Sequence, residues 1–177
     1  MYIQNEPLGQ YAEDPTIGSV DGLSMAVAVP IGVGIAIGEV LEVILIVLSA
    51  IAAAYLLIQA YEAAQSRGFG VALATRLLSA GLGRLLSGAR RLVDVIRRLI
   101  ERARRLLNPR PECALAIADM ARVLAEIEQT IAELAAESQS PVPRVPELRR
   151  LMDLLKQRAS AARGPVQNLL QACGPTT

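Results

Sequence analysis

The sequence contains no histidine and no tryptophan, and Phe69 is its only phenylalanine. Without imidazole there is no Ser-His or Cys-His pair, no histidine base and no His-ligated zinc. Carboxylate-only chemistry survives that exclusion but needs a shaped pocket. A chain poor in aromatics and rich in Leu, Ala and Arg suits packed helices better than a ligand pocket. No nucleophile, base and orienting residue can be named together. The expectation is a protein that is not an enzyme, with no catalytic residue, no cofactor and no metal.

Charge is also missing by region. Residues 1–66 carry seven acids and no Lys or Arg, whereas residues 67–110 carry eleven Arg against Asp94 and Glu101, a net +9. Residues 111–177 hold eight acids and seven bases. The overall +1 is a cancellation and says nothing about partners. These shifts mark four segments: 1–24, acidic and irregular; 25–66, a hydrophobic membrane segment; 67–110, an Arg-rich amphipathic helical region; and 111–177, an αα-hairpin. The expected fold class is all-α.

Residues 25–61 are interrupted only by Glu39, Glu42, Ser49 and Gln59. As a single helix this run would span roughly 55 Å, against a hydrocarbon core of ~30 Å, so it is expected to divide. Val43 to Tyr61 (VILIVLSAIAAAYLLIQAY) would span about 28 Å and predicts a membrane helix, with Tyr61 where an interfacial aromatic belongs. Met25 to Gly38, interrupted by Pro30, Gly32 and Gly34, reads as a re-entrant or interfacial segment, or as a second short span making a membrane hairpin. Gly34 and Gly38 form a small-xxx-small pair. Two rivals stand against the membrane reading. A signal peptide is disfavoured because residues 1–24 hold Glu6, Glu13, Asp14 and Asp21 and no positive charge. A buried core helix would need a small domain to cover an apolar segment on all sides. Glu39 and Glu42 share a helical face. They read either as intramembrane carboxylates on an ion or proton path, or as markers of the interface where the span begins.

After Arg67-Gly68 a glycine-punctuated stretch runs to Gly88, and a cleaner helix then continues to Leu107 and stops at Asn108-Pro109-Arg110-Pro111. Leu78, Leu82, Leu85, Ala89, Leu92, Ile96, Leu99, Ala103 and Leu106 recur in steps of four and three. The opposite face carries Arg90, Arg91, Arg97, Arg98, Arg102, Arg104 and Arg105. Beside a membrane span, this profile suits an anionic headgroup surface. The competing reading is that the stripe packs on other helices and the arginines are merely solvated. Nucleic acid is not expected as a partner, because no aromatic interleaving and no known module accompanies the arginines.

Cys113, Ile117, Met120, Leu124, Ile127, Ile131 and Leu134 repeat as a helix seam. Ser138 to Pro146 (SQSPVPRVP) breaks that helix, and Pro146 opens the next in its favoured first turn. The second stripe is Leu148, Leu151, Leu155, Ala159, Ala162, Val166, Leu169 and Cys173. Antiparallel folding with paired numbers summing to 286 matches Ile117 with Leu169, Met120 with Val166, Leu124 with Ala162, Ile127 with Ala159, and Ile131 with Leu155. It brings Glu128 level with Arg158, Glu137 level with Arg149, and Cys113 opposite Cys173. This register predicts a disulfide stapling the open end of the hairpin; two reduced core cysteines are the alternative. Gly164-Pro165 should kink or break the second helix.

The positive-inside rule puts residues 67–110 in the cytosol, whereas a stable disulfide argues that residues 111–177 leave it. Three resolutions stand: reduced cysteines, a second span within residues 25–38, or delivery to a membrane from outside. Tyr2-Ile3-Gln4-Asn5-Glu6-Pro7-Leu8, with Asp14-Pro15 and Gly18 beyond it, bears on the last. This stretch of about 17 residues resembles the end of the repeat core of Rhs-type polymorphic toxins, without the usual Asp-Pro-x-Gly spacing. The resemblance implies that the residues beyond it form a delivered toxin tip, and it brings no active site. The sequence thus points to an integral membrane protein of a bacterium, its orientation open. Its partners would be the lipid membrane and a second copy or another helical protein. Its role would be a membrane-anchored helical interaction or scaffold protein, with a membrane-permeabilising toxin or secreted effector tip as the alternative.

Overall fold

Helix periodicity dominates the sequence, and the computed structural model describes five helices across residues 24–106 and 110–174, with side chains described from residue 36 onward. These are α1 (Ser24–Arg67), α2 (Val71–Arg104), α3 (Pro111–Ser138), α4 (Val145–Ala161) and α5 (Arg163–Cys173). The fold is all-α. Residues 2–18, which carry the resemblance to the Rhs core, lie outside the described residues, as do Leu107, Asn108 and Pro109.

The expected division of the apolar run does not occur. α1 continues through Pro30, Gly32 and Gly34 for 44 residues. One proline costs about 3 kcal/mol of helix and each glycine about 1. Breaking the helix would instead leave several backbone N–H and C=O groups without their intrahelical partners. The chain divides after Gly34, and Ile35–Gly174 forms one compact unit.

Side-chain contacts fix the topology of that unit. Across α1 and α2, Glu39 lies 3.8 Å from Arg98. Higher up α1, Val47 faces Gly88 and Leu57 faces Gly81, so the two helices run antiparallel. The Tyr55 hydroxyl donates to Asp153 and Arg149 donates to Glu62, which sets α4 antiparallel to α1. Arg97 meets Glu128 at 2.7 Å, tying α2 to α3. The result is an up-down-up-down four-helix bundle whose fourth helix is α4 followed by α5. The circuit of neighbours is α1, α2, α3, α4/α5 and back to α1.

The fourth helix breaks at Ala162, one turn before Pro165, which has no N–H to give and whose ring crowds the preceding turn. The apolar stripe nevertheless carries across the break: Leu155, Ala159, Ala162, Val166 and Leu169 are all buried. Cys113 and Cys173 come to disulfide distance, with Cα atoms 4.7 Å apart. Arg110 closes the same end by donating to the carbonyls of Ala172 at 2.7 Å and Gly174 at 2.8 Å, the groups a helix C-terminus leaves unpaired.

The polar flank of the hairpin differs from the expected pairs, because α1 and α2 compete for the same side chains. Glu128 pairs with Arg97 of α2 rather than Arg158. Arg158 turns inward to the Thr130 hydroxyl and the Glu126 carbonyl. Arg149 goes to Glu62 of α1 rather than to Glu137. Glu137, buried at 6% exposure, instead accepts from the Arg144 backbone N–H at 3.1 Å and its guanidinium at 2.6 Å, closing the α3–α4 turn. Arg144 holds the Glu137 carboxyl below the usual carboxylate range, chiefly through the side-chain hydrogen bond.

Candidate membrane-binding surface

α1 has two apolar faces. One is a stripe of Val40, Val43, Ile44, Val47, Ile51, Ala54, Ile58 and Tyr61, all buried against the bundle. The other points away from it and carries no charge between Glu42 and Glu62: Leu45 is 56% exposed and Leu56 66%, with Ile46, Ala52, Ala53 and Ala60 exposed beside only Ser49 and Gln59 as polar residues. An ordinary bundle helix would carry charge there. From Ala36 to Arg67 the helix is long and apolar enough to cross a membrane, and only 33% of its most apolar window is buried inside the bundle.

α2 is the opposite case. Its inner stripe is the expected one: Leu78, Leu82, Leu85, Ala89, Leu92, Ile96, Leu99 and Ala103 are buried. The stripe packs on other helices. Arg90, Arg91, Arg97, Arg98, Arg102, Arg104 and Arg105 all lie on the exposed side. They are not equivalent. Arg97 reaches Asp94 and Glu128, and Arg98 reaches Glu39. Arg90, Arg91, Arg104 and Arg105 have no ion-pair partner among the described residues. Exposed pairs such as Arg98–Glu39 are worth at most about 1 kcal/mol. They orient the helices more than they hold them.

Glu39 is half-exposed on α1 and faces Arg98, whereas Glu42 is exposed without an ion-pair partner among the described residues. The two sit at the same end of the α1–α2 pair as the C-terminal part of α2. The open groove of about 470 Å³ between α2 and α3 is lined by Arg90, Val93, Asp94, Arg97, Glu128 and Ile131. Its charged lining is largely internally paired.

The sequence reading missed the polar ties of α1, Tyr55 to Asp153 and Glu62 to Arg149. Both residues stand alone in apolar runs, and only the tertiary register supplies their partners. It also missed how α1 is set in the bundle. The backbones of α2 and α3, α3 and α4, and α3 and α5 approach within 8 Å repeatedly, and among the described residues α1 makes no comparable approach. Small residues such as Ala116, Ala159 and Ala162 let α3 and its neighbours close up, whereas α1 meets the bundle mainly through Val and Ile, with Tyr61 and a few Ala among them, and the larger side chains hold helix axes apart. No family model, curated protein or solved structure matches the chain.

Proposed function

We propose that the protein is a non-enzymatic, membrane-anchored helical protein in which α1 enters a lipid bilayer and the arginine face of α2 lies against an anionic surface. The observation that carries this reading is the apolar outer face of α1. The closed bundle leaves it in contact with water although nothing in a soluble fold requires it.

The placement of the arginines limits how α1 can enter lipid. In the closed bundle the middle of α1 lies beside Gly81 and Gly88 of α2 and Asp153 of α4. Arg84, Arg90 and Arg91 stand at that level of α2. Carrying them into hydrocarbon would cost roughly 2.5–3.5 kcal/mol each. The intact bundle therefore does not enter a bilayer; α1 enters by parting from α2 and α4. Its wide setting in the bundle and its few exposed polar ties favour that opening. Parting also releases Arg98 from Glu39 and Arg149 from Glu62, which adds cationic groups for headgroup phosphates.

The same limit favours a second reading, a membrane-permeabilising protein. A bundle that is closed in water and open in lipid is what a delivered, water-soluble toxin needs. The test is dye release from anionic and neutral liposomes by purified protein, with alkaline carbonate extraction of the same vesicles. Carbonate-resistant binding without release supports an anchor, and release supports the permeabilising reading. Full recovery of the chain in the carbonate supernatant, without release, means that α1 stays in the bundle and rejects both.

A further inference from the structure

The turn between α1 and α2 carries a feature that bundle packing does not use. Gly68 and Gly70 both adopt left-handed backbone, φ 80° and 79°, and bracket Phe69. Only glycine takes that conformation without strain, so the sequence spends two glycines on a tight reversal whose tip is the chain's single Phe. Phe69 is 67% exposed, with the Arg67 guanidinium 5.2 Å from its ring centroid. Leu73 and Leu77 come next at intervals of four, which places them on one face of α2, and both are exposed. From Ala63 to Val93 there is no acidic residue, while Arg67 and Arg76 flank the exposed apolar side chains. The α3–α4 turn lies at the same end, since Gln65 of α1 lines a groove with Pro143 and Arg144, and that turn exposes Val142.

The geometry points to this end of the bundle as the docking tip for an anionic lipid bilayer: Phe69, Leu73 and Leu77 enter the headgroup–acyl boundary, and Arg67 and Arg76 meet lipid phosphates. The inference rests on the membrane reading above but names a different surface, one that acts while the bundle is still closed. Charge decides the occupant. The acids at this end, Glu62 and Glu147, are taken up by Arg149 and Arg150, so the charge left around the apolar patch is arginine; that is complementary to an anionic surface, and a second copy of the same end would bring arginine against arginine. Docking here sets the C-terminal end of α1 at the bilayer first and leaves the Cys113–Cys173 end facing away.

The chain has no tryptophan, so a single introduced one reports its own surroundings. Phe69→Trp marks the tip, and Leu115→Trp marks an equally exposed site at the opposite end, where the residue is 72% exposed. With vesicles rich in anionic lipid, the Phe69→Trp emission is expected to shift to the blue and to be quenched by brominated acyl chains, while Leu115→Trp stays unchanged. Phe69→Ser and Leu73→Ser are each expected to weaken vesicle binding about tenfold or more, as the loss of one buried large apolar side chain implies. Vesicle binding in which Leu115→Trp responds and Phe69→Trp does not overturns the tip and leaves the membrane reading standing. A blue shift of Phe69→Trp that grows with protein concentration in the absence of lipid assigns the patch to a second copy and overturns it too. No binding to any vesicle overturns both.

Discussion

α1 and α2 are neighbours of similar build, both long, and each buries one stripe in the same bundle. They differ on the side that faces outward. Beyond its first turns, where Leu73 and Leu77 are exposed, α2 turns arginines to solvent, as a helix that stays in water should. α1 turns Leu45, Ile46 and Leu56 outward. The bundle's stability asks nothing of that outer face, so its composition reports something other than folding in water. The two helices also differ in how they are held. α2 packs closely on α3, which is joined through Cys113 and Cys173 to α5, while α1 stands further off and is tied by a few exposed polar contacts. The difference separates a body, α2 to α5, from an element set to leave it.

The largest expected effect comes from making the outer face of α1 resemble that of α2. Leu45→Lys with Leu56→Lys places charge on residues that touch little of the bundle, so the fold should be kept. In a bilayer a lysine costs roughly 2.5–3.5 kcal/mol at mid-depth and less toward the interface, so the pair, with Leu56 the deeper site, should cost up to about 5 kcal/mol. The expected outcome is an unchanged helical circular dichroism spectrum and loss of carbonate-resistant membrane association. A variant that still pellets with membranes would show that the outer face of α1 is not the lipid-facing one.

Next in size is the staple of the body. With the cysteines 60 positions apart, closing the loop contributes about 4 kcal/mol in the chain-entropy model. Cys113→Ser should lower the denaturation midpoint of the bundle by a corresponding amount and leave membrane association of α1 in place. Maleimide should label neither cysteine before reduction. Two freely labelled thiols in native protein from an oxidising compartment would remove the covalent part of the contrast between body and α1.

The register of the hairpin was legible in the sequence because α3 and α4/α5 alternate apolar and charged residues, so their stripes have edges. The cysteines then fixed the level. The inner stripe of α2 was legible for the same reason. The inner stripe of α1 was not. Val40, Ile44, Val47, Ile51, Ala54 and Ile58 do recur at helical spacing, but Leu41, Leu45, Leu48 and Leu56 between them are as apolar, so no face stands out and the run reads as a span alone. The cross-bundle partners Arg149–Glu62, Arg97–Glu128 and Tyr55–Asp153 lie 87, 31 and 98 residues apart, and only the closed circuit of helices brings them together.

A smaller effect is confined to acid. Glu137 is held below its ordinary carboxylate value of 4.5 by Arg144, with burial and, less strongly, Glu147 opposing that shift. A carboxyl whose folded value is depressed stabilises the fold above its unfolded value, and that contribution is lost as pH falls through the lower, folded value. Wild-type bundle stability should therefore drop once pH goes below about 4.5, with Glu137→Gln less stable at neutral pH and flatter through the acid range. Parallel pH profiles of the two proteins in denaturant titrations would show that this turn, next to the end of α1, does not depend on the Glu137–Arg144 pair.

The finest test of how α1 sits on α2 uses two glycines of α2. A Cβ at Gly81 would run into Leu57 Cδ1 of α1, whereas a Cβ at Gly83 would meet nothing within 4 Å. Replacing either by Ala raises helix propensity by about 1 kcal/mol. At Gly83 that gain should appear in full as a raised denaturation midpoint. At Gly81 it is opposed by the displacement of Leu57, a half-buried side chain that can rotate its terminal methyl away at a cost of about the same size. Gly81→Ala should thus be close to neutral in the closed bundle. Once α1 has left, the clash disappears and the propensity gain remains, so the same substitution should shift the balance toward the membrane-bound form, with faster or more complete vesicle association than Gly83→Ala. Equal stabilisation by the two substitutions in water would mean that α1 does not rest on α2 at this level, and the separation of a detachable α1 from a fixed body would lose its structural basis.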